Sequence, residues 1–324
     1  MYEPKSLEHI PPTIGNVERA VSVLVPTYKS CETLPALAQR ICQLTWFTSD
    51  SEVIFIDDGN ADKTWGVLLE IARLHPFARA IRLSRNVGQH AALLAGIREA
   101  RHPVIATLDD DLQNPPEEIE SLLAMLVDDI DVVYGVPKTI KQSPWRAIAS
   151  VTSKRLMRRA LGFSHATNIS SFRVFRTRLR DGFSDDLGPG VSIDALLNWS
   201  TSRFATVEVE HHPRAAGKSN YTFWKLLRFL FDTITGYSTL PLRAATGLGF
   251  ATITLSFGVL VWVLGRPIMT GESVPGFPFL AATIAIFSGT QLVVLGILGQ
   301  YIGRMHFRVM NKPTYTIAER TESK

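Results

Sequence analysis

Cysteine is nearly absent: Cys31 and Cys42 are the only two among 324 residues. So few thiols, so close together, exclude a secreted disulfide framework and point to a reducing compartment. Net charge is scarce as well, with 34 Lys and Arg against 30 Asp and Glu giving +4 at pH 7. The corresponding pI of about 9.1 is too mild to choose between nucleic acid, anionic lipid and a phosphorylated substrate. Repeats and low-complexity tracts are missing, and 46% hydrophobic residues exclude disorder and collagen-like structure. The length fits about two domains, with a core that needs no disulfide staples. Residues 1–20, MYEPKSLEHIPPTIGNVERA, contain no apolar signal-peptide core. They are expected to be a loosely ordered tail, with the chain up to about residue 240 kept on the side of the membrane where it is made.

Charged side chains are missing altogether from two stretches. Ala244 to Leu264, AATGLGFATITLSFGVLVWVL, is 21 residues long and as a helix would reach about 30 Å, the thickness of a hydrocarbon core. Phe277 to Ile302, FPFLAATIAIFSGTQLVVLGILGQYI, is the second such run. Both are expected to span a membrane, the second span closing at Gly303. Lys225, Arg228 and Arg243 precede the first run and Arg304, Arg308 and Lys312 follow the second, whereas the connecting loop holds only Arg266 and Glu272. The positive flanks put both termini, including the tail 304–324, in the cytoplasm. Gly299 and Gly303 form a GxxxG spacing that favours close helix packing, within the hairpin or between subunits of a homo-oligomer. Residues 220–243 place Lys225, Arg228 and Asp232 on one helical face, with Phe223, Trp224, Leu227, Phe231 and Ile234 over much of the rest. That pattern predicts an amphipathic helix lying in the interface.

Upstream, apolar runs alternate with helix-type stretches: VSVLVP (21–26), EVIFID (52–57), ARAIRLS (78–84), PVIATLD (103–109) and DVVYGV (131–136). Continuous apolar strands separated by helices predict an α/β domain with a mostly parallel sheet covered on both faces, over residues 21–219. Ligands bind such sheets beyond the carboxyl ends of the strands. Polar residues gather there: Tyr28 after the first run, Asp57 and Asp58 after the second, Arg85 after the third, and Asp109 to Gln113 after the fourth.

Three successive carboxylates, Asp109, Asp110 and Asp111, repel one another unless a cation neutralises them. On an extended backbone Asp109 and Asp111 share one side, and Gln113 adds an amide oxygen. Oxygen-only donors suit Mg²⁺ or Mn²⁺ gripping substrate phosphates; the alternative is a solvated acidic turn before the helix begun by Pro115, Pro116 and Glu117. Asp57 and Asp58 precede Gly59 and Asn60, residues a tight turn also favours, and could accept hydrogen bonds from ribose or a base edge. Arg85 either balances diphosphate charge or pairs with a surface acid.

Taken in order, VLVPTYKSCETLP, VIFIDDGNADKT, LSRNVGQHAALLAG, TLDDDLQNPPE and RAAGKSNY followed by PLR resemble the polyprenyl-phosphate glycosyltransferases of glycosyltransferase family 2. That group includes dolichyl-phosphate mannose synthase and the bactoprenol glucosyltransferases. The resemblance runs from Val21 to the end of the chain and implies a GT-A (Rossmann-like) nucleotide-sugar domain at the cytoplasmic membrane face. It implies nucleotide-sugar contacts at Pro26, Tyr28, Asp57, Asp58, Arg85 and Asp110, and a metal and diphosphate site at Asp109, Asp111 and Gln113. Lys29 and Ser30 stand where relatives read Asn-Glu, and NISSFRVFR lacks the acid that some relatives carry before the Phe-Arg pair. Asp194 is the nearest later acid for a catalytic role at the acceptor, its alternative being a surface charge.

A lipid phosphate is already anionic at neutral pH and needs no general base. It needs positioning, and Arg146, Lys154, Ser170, Arg173, Arg214 and Lys218 are the candidates to bind it. The expected reaction is inverting transfer of one hexose from a nucleotide sugar (UDP-linked, or GDP-mannose) to polyprenyl phosphate at the bilayer, with no role for nucleic acid. A processive polysaccharide synthase and a membrane-anchored binding subunit without turnover are the rival readings.

Overall fold

The computed structural model describes residues 20–138, 169–183, 190–212, 235–236, 238–270 and 276–321. Strands β1 (Val21–Thr27), β2 (Glu52–Asp57), β3 (Ala78–Leu83), β4 (Val104–Thr107) and β5 (Val132–Pro137) lie within two residues of the five apolar runs. Helices α1 (Leu34–Cys42), α2 (Thr64–Leu74), α3 (Gln89–Glu99) and α4 (Ile119–Met125) alternate with them. The chain then adds β6 (Arg173–Arg176), α5 (Ile193–Ser200) and β7 (Phe204–Val209). Two long helices, α6 (Leu240–Thr270) and α7 (Gly276–Val309), precede a last strand, β8 (Ile317–Arg320).

The strands form one eight-stranded sheet in the order β7-β5-β6-β4-β1-β2-β3-β8. β6 and β8 run antiparallel to their neighbours, while the other pairings are parallel. None of the last three strands was expected. β6 is four residues long with an arginine at each end, and β7 is half exposed. β8 reads as a polar tail, and becomes a strand because the edge of β3 offers unpaired backbone groups.

Side-chain alternation explains the two cores. Val21, Val23 and Val25 of β1 pack with Leu34, Leu37, Ile41, Leu68 and Ile71 on one face. Leu24 points the other way, into a core with Leu93, Leu94, Ile97, Leu196 and Leu197. Residues Ala91 to Ile97 are all buried, so α3 is held against the sheet along a full turn and more. Its N-terminus is thereby fixed beside the strand ends that carry the acids.

The helices α6 and α7, 31 and 34 residues long, exceed the hydrocarbon thickness at 1.5 Å per residue. They extend beyond the uncharged runs at both ends, taking in Arg243, Arg266, Arg304 and Arg308. Phe250, Ile253, Phe257, Leu292 and Ile302 are each more than half exposed, a surface that suits lipid and not water. Hydroxyls along them bond back to their own helix, as Thr252 does to the Leu248 carbonyl at 2.7 Å and Thr290 to Ile286 at 2.9 Å. No lipid-facing hydroxyl in these examples is left without an acceptor. The N-terminal tail up to residue 19 and residues 220–234 and 237 of the expected interfacial helix lie outside the described residues; Leu240 to Arg243 form the first turn of α6.

Candidate active site

The carboxyl ends of β1, β2 and β4 lie side by side in the sheet, and two acidic turns leave them. In the first, Asp57 is fully buried and its Oδ1 accepts from the Asn60 backbone N–H at 3.1 Å and side-chain amide at 2.7 Å. Arg82 approaches Oδ2 to 3.6 Å. Asp58 accepts from the backbone N–H groups of Val87 at 2.8 Å and Gly88 at 2.9 Å, one on each oxygen. It thus joins the β2 end to the start of α3. Burial pushes both carboxyls up from their ordinary value, and these donors offset part of the shift. Gly59 between them has φ +67°, and a Cβ there would lie 2.2 Å from the Arg85 carbonyl carbon. Only glycine fits under that backbone. Arg85 itself is exposed.

The second turn draws its donors from three other segments. Asp109 accepts from the Ser171 hydroxyl and, at 2.7 Å, from the Gln89 amide. Burial pushes its pKa up from the ordinary carboxylate value, and the like charge of Asp111 adds to the effect. Asp110 accepts from the Tyr28 N–H at 3.0 Å and from the Ser30 hydroxyl, and the Thr33 hydroxyl donates to its carbonyl at 2.7 Å. Its carboxyl is pushed up to about 6, first by burial and then by Asp109 and Asp111. Ser30 is therefore part of the clasp between the β1 end and the acidic turn. The backbone does not stay extended as the alternation argument assumed: β4 ends at Thr107, and Leu112 takes φ +59°. The Gln113 N–H folds back onto Asp111 Oδ1 at 3.2 Å. Tyr28 is half exposed at the rim, with the Lys29 ammonium 5.3 Å from its ring centre. Pro26 is buried beyond the last β1–β4 pair, Leu24 with Thr107.

Arg173 and Asp194 are placed differently from the sequence expectation. Arg173 is buried, its guanidinium paired with Asp194 and its Nε 3.3 Å from the Thr107 hydroxyl. The Tyr134 hydroxyl donates to the same Asp194 oxygen at 3.0 Å. Arg173 therefore does not reach out to an acceptor phosphate, and Asp194 is neither a surface charge nor an unengaged base. The pair joins the far side of the sheet to the acidic turn, because Thr107 also donates to the Ser171 carbonyl at 2.5 Å. His90 lies in this cluster and accepts from the Ile193 N–H at 3.3 Å; burial holds its pKa below the usual value despite Asp194 nearby. Ser170 accepts from the Phe172 N–H at 3.2 Å. Arg146, Lys154, Arg214 and Lys218 lie outside the described residues.

Gln89, Ser171, Tyr134 and His90 belong to the site and were not singled out from the sequence. Gln89 and His90 stood in the quoted NVGQHAA motif, so their position at a helix start was the available signal. Beyond β7, the His212 N–H donates to the Gln113 carbonyl at 2.8 Å, and His211 Nδ1 lies 3.1 Å from Asn114 Oδ1. The approach to the Arg214 and Lys218 segment is thus anchored on the acidic turn. Among the described residues no three His, Cys, Asp or Glu side chains converge on one ion. The neighbouring carboxylates of Asp109 and Asp111, close enough for Asp111 to push the Asp109 pKa up, nevertheless fit Mg²⁺ or Mn²⁺, hard cations commonly held by one or two carboxylates with substrate phosphates completing the shell.

Residues 22–183 match the family described as Glycosyl transferase family 2. A Pectobacterium carotovorum protein named undecaprenyl-phosphate 4-deoxy-4-formamido-L-arabinose transferase is 33% identical over 301 residues, 92% of each chain. The protein of the same name from Yersinia pestis is 34% identical over 317 residues, 94% of this chain and 96% of that one. Glucosyl-3-phosphoglycerate synthase from Mycobacterium tuberculosis, in complex with Mn²⁺, UDP and phosphoglyceric acid, shares the fold with a TM-score of 0.52. It is 18% identical and the match covers 68% of this chain and 77% of that chain.

Proposed function

Because the chain belongs to glycosyltransferase family 2, we propose that it moves one sugar from a nucleotide sugar, UDP-linked in preference to GDP-mannose, onto undecaprenyl phosphate. The observation that carries the membrane setting is the return of β8 to the sheet after α7. Both ends of the helical hairpin then belong to the side that holds the sheet, as two membrane crossings require. The positive flanks support the cytoplasmic face of the inner membrane as that side. The relatives' named sugar is a pentose derivative, so it competes with the hexose expected from the sequence.

Each residue contributes through position. Asp57 and Asp58 shape the turn that receives the base and ribose, with Tyr28 at its rim and Arg85 beside it. Asp109 and Asp111, with Gln113 adjacent, would hold Mg²⁺ or Mn²⁺, which supplies charge neutralisation for the leaving nucleoside diphosphate. Gln89 and Ser171 fix the Asp109 carboxylate, and the buried Arg173 and Asp194 pair keeps the β4 and β6 ends in register beneath it. The lipid phosphate attacks as an anion, so no protein base is needed. Holding it in line with the anomeric carbon falls to Ser170 and to the basic residues Arg146, Lys154, Arg214 and Lys218.

Purified protein in undecaprenyl-phosphate micelles, given Mn²⁺ and a panel of labelled nucleotide sugars including hexose and aminopentose donors, tests the reading. Labelled lipid from one donor is the expected result. No labelled lipid from any donor, with donor binding intact, would sink the acceptor assignment and favour a binding subunit.

A further inference from the structure

The strand after the second apolar helix does more than close a sheet edge. β8 pairs antiparallel with β3, matching Arg82 with Glu319. Glu319 uses both oxygens: Oε1 accepts from Arg82 Nη1 at 2.9 Å and Oε2 from the Trp65 indole at 3.1 Å. Arg82 lies across the Trp65 ring, 5.8 Å from its centre. Its other nitrogens reach the first acidic turn, with Nη2 3.1 Å from the Asn60 carbonyl and Nε 3.6 Å from Asp57 Oδ2. Asp57 Oδ2 has no hydrogen bond and is buried, so Arg82 supplies its nearby positive charge. Asn60 is gripped from two sides, by Asp57 through its N–H and amide and by Arg82 through its carbonyl.

We propose that Glu319 is a positioning residue for donor binding, fixing the Arg82 guanidinium that holds the Asp57–Asn60 turn in its binding shape. This rests on the reading of that turn as the nucleotide contact. The physical reason is preorganisation. Without Glu319, Arg82 has one carboxylate fewer to fix its rotamer, the turn samples other shapes, and nucleotide binding must bear the cost of ordering it. The tail beyond the hairpin would then be part of the donor site although it touches no donor.

The test uses the full chain in detergent micelles, with UDP and Mn²⁺ as the probe. Glu319→Gln keeps the shape and the contact to Trp65 but removes the charge. UDP binding by calorimetry should weaken about three- to fivefold, the range for a half-exposed ion pair. Amide exchange at Asn60 should accelerate, the melting temperature should move little, and Glu319→Asp should recover part of the affinity. Unchanged UDP affinity together with unchanged exchange at Asn60 overturns the proposal, as does a fall in affinity that only tracks a fall in melting temperature. If wild-type protein binds neither UDP nor GDP, the reading of the turn as the nucleotide site fails. Exchange at Asn60 still decides whether Glu319 orders the turn.

Discussion

The two acidic turns look alike in sequence, Asp57-Asp58 and Asp109-Asp110-Asp111, yet they are built differently. In the first, backbone N–H groups from Asn60, Val87 and Gly88 and the nearby Arg82 meet the carboxylates. Its acids are structural fasteners with a shaped surface beside them. In the second, the Ser171 and Ser30 hydroxyls, the Gln89 amide and the Tyr28 N–H meet Asp109 and Asp110. Like charges are left adjacent, and the carboxyls of Asp109 and Asp110 are pushed up. The two turns thus differ in which donors meet their acids, and those donors arrive from elsewhere in the chain.

Several substitutions can break or sharpen that contrast. Asp111→Asn should lower kcat/KM by about 1,000-fold, equivalent to about 4 kcal/mol of transition-state stabilisation. The rise in melting temperature on adding Mn²⁺ to wild type should vanish in this variant, while its circular dichroism is unchanged. Gly59→Ala should act through folding instead. The Cβ must displace the Arg85 backbone from 2.2 Å, so a loss of about 3 kcal/mol or more is expected in urea unfolding. A smaller effect belongs to Ser171→Ala, which removes a donor to Asp109. Activity should fall about tenfold, with a raised Mn²⁺ requirement, as for other residues that orient a metal ligand.

The mildest effect is on pH dependence. Burial pushes the carboxyl of Asp110 up to about 6 from its ordinary 3.8 in the folded protein. A raised acid favours the folded state only while protonated, so its contribution is fully present below about pH 4 and is lost as pH rises through 6. Metal-free Asp110→Asn should therefore melt at a higher temperature than wild type at pH 8. The difference should shrink as pH falls from 6 to 4. A gap that stays constant with pH would mean that Asp110 is not carrying a burial cost.

Much of this was legible along the chain, because the signals were local. Unbroken apolar runs between turn residues marked the five parallel strands, and uncharged runs marked the two long helices. The rule that ligands collect at carboxyl ends pointed to the strand ends from which the two acidic turns leave. Arg173 and Asp194 were harder to read, because an arginine assigned to an acceptor phosphate and a lone acid on a helix show no sign of pairing until β6 and α5 are brought against β4 and Tyr134. Ser171 and Gln89 carried no signal of their own, since a hydroxyl or amide becomes informative only when its partner is known.

The order of residues settled which segments are strands, which helices suit a bilayer, and where acids cluster, since each depends on neighbours a few positions apart. Partnership was settled only by folding. Glu319 and Arg82 are 237 positions apart, and Asp58 meets Gly88 across 30. No periodicity encodes such contacts, because they exist only after the sheet has placed β3 between β2 and the returning tail.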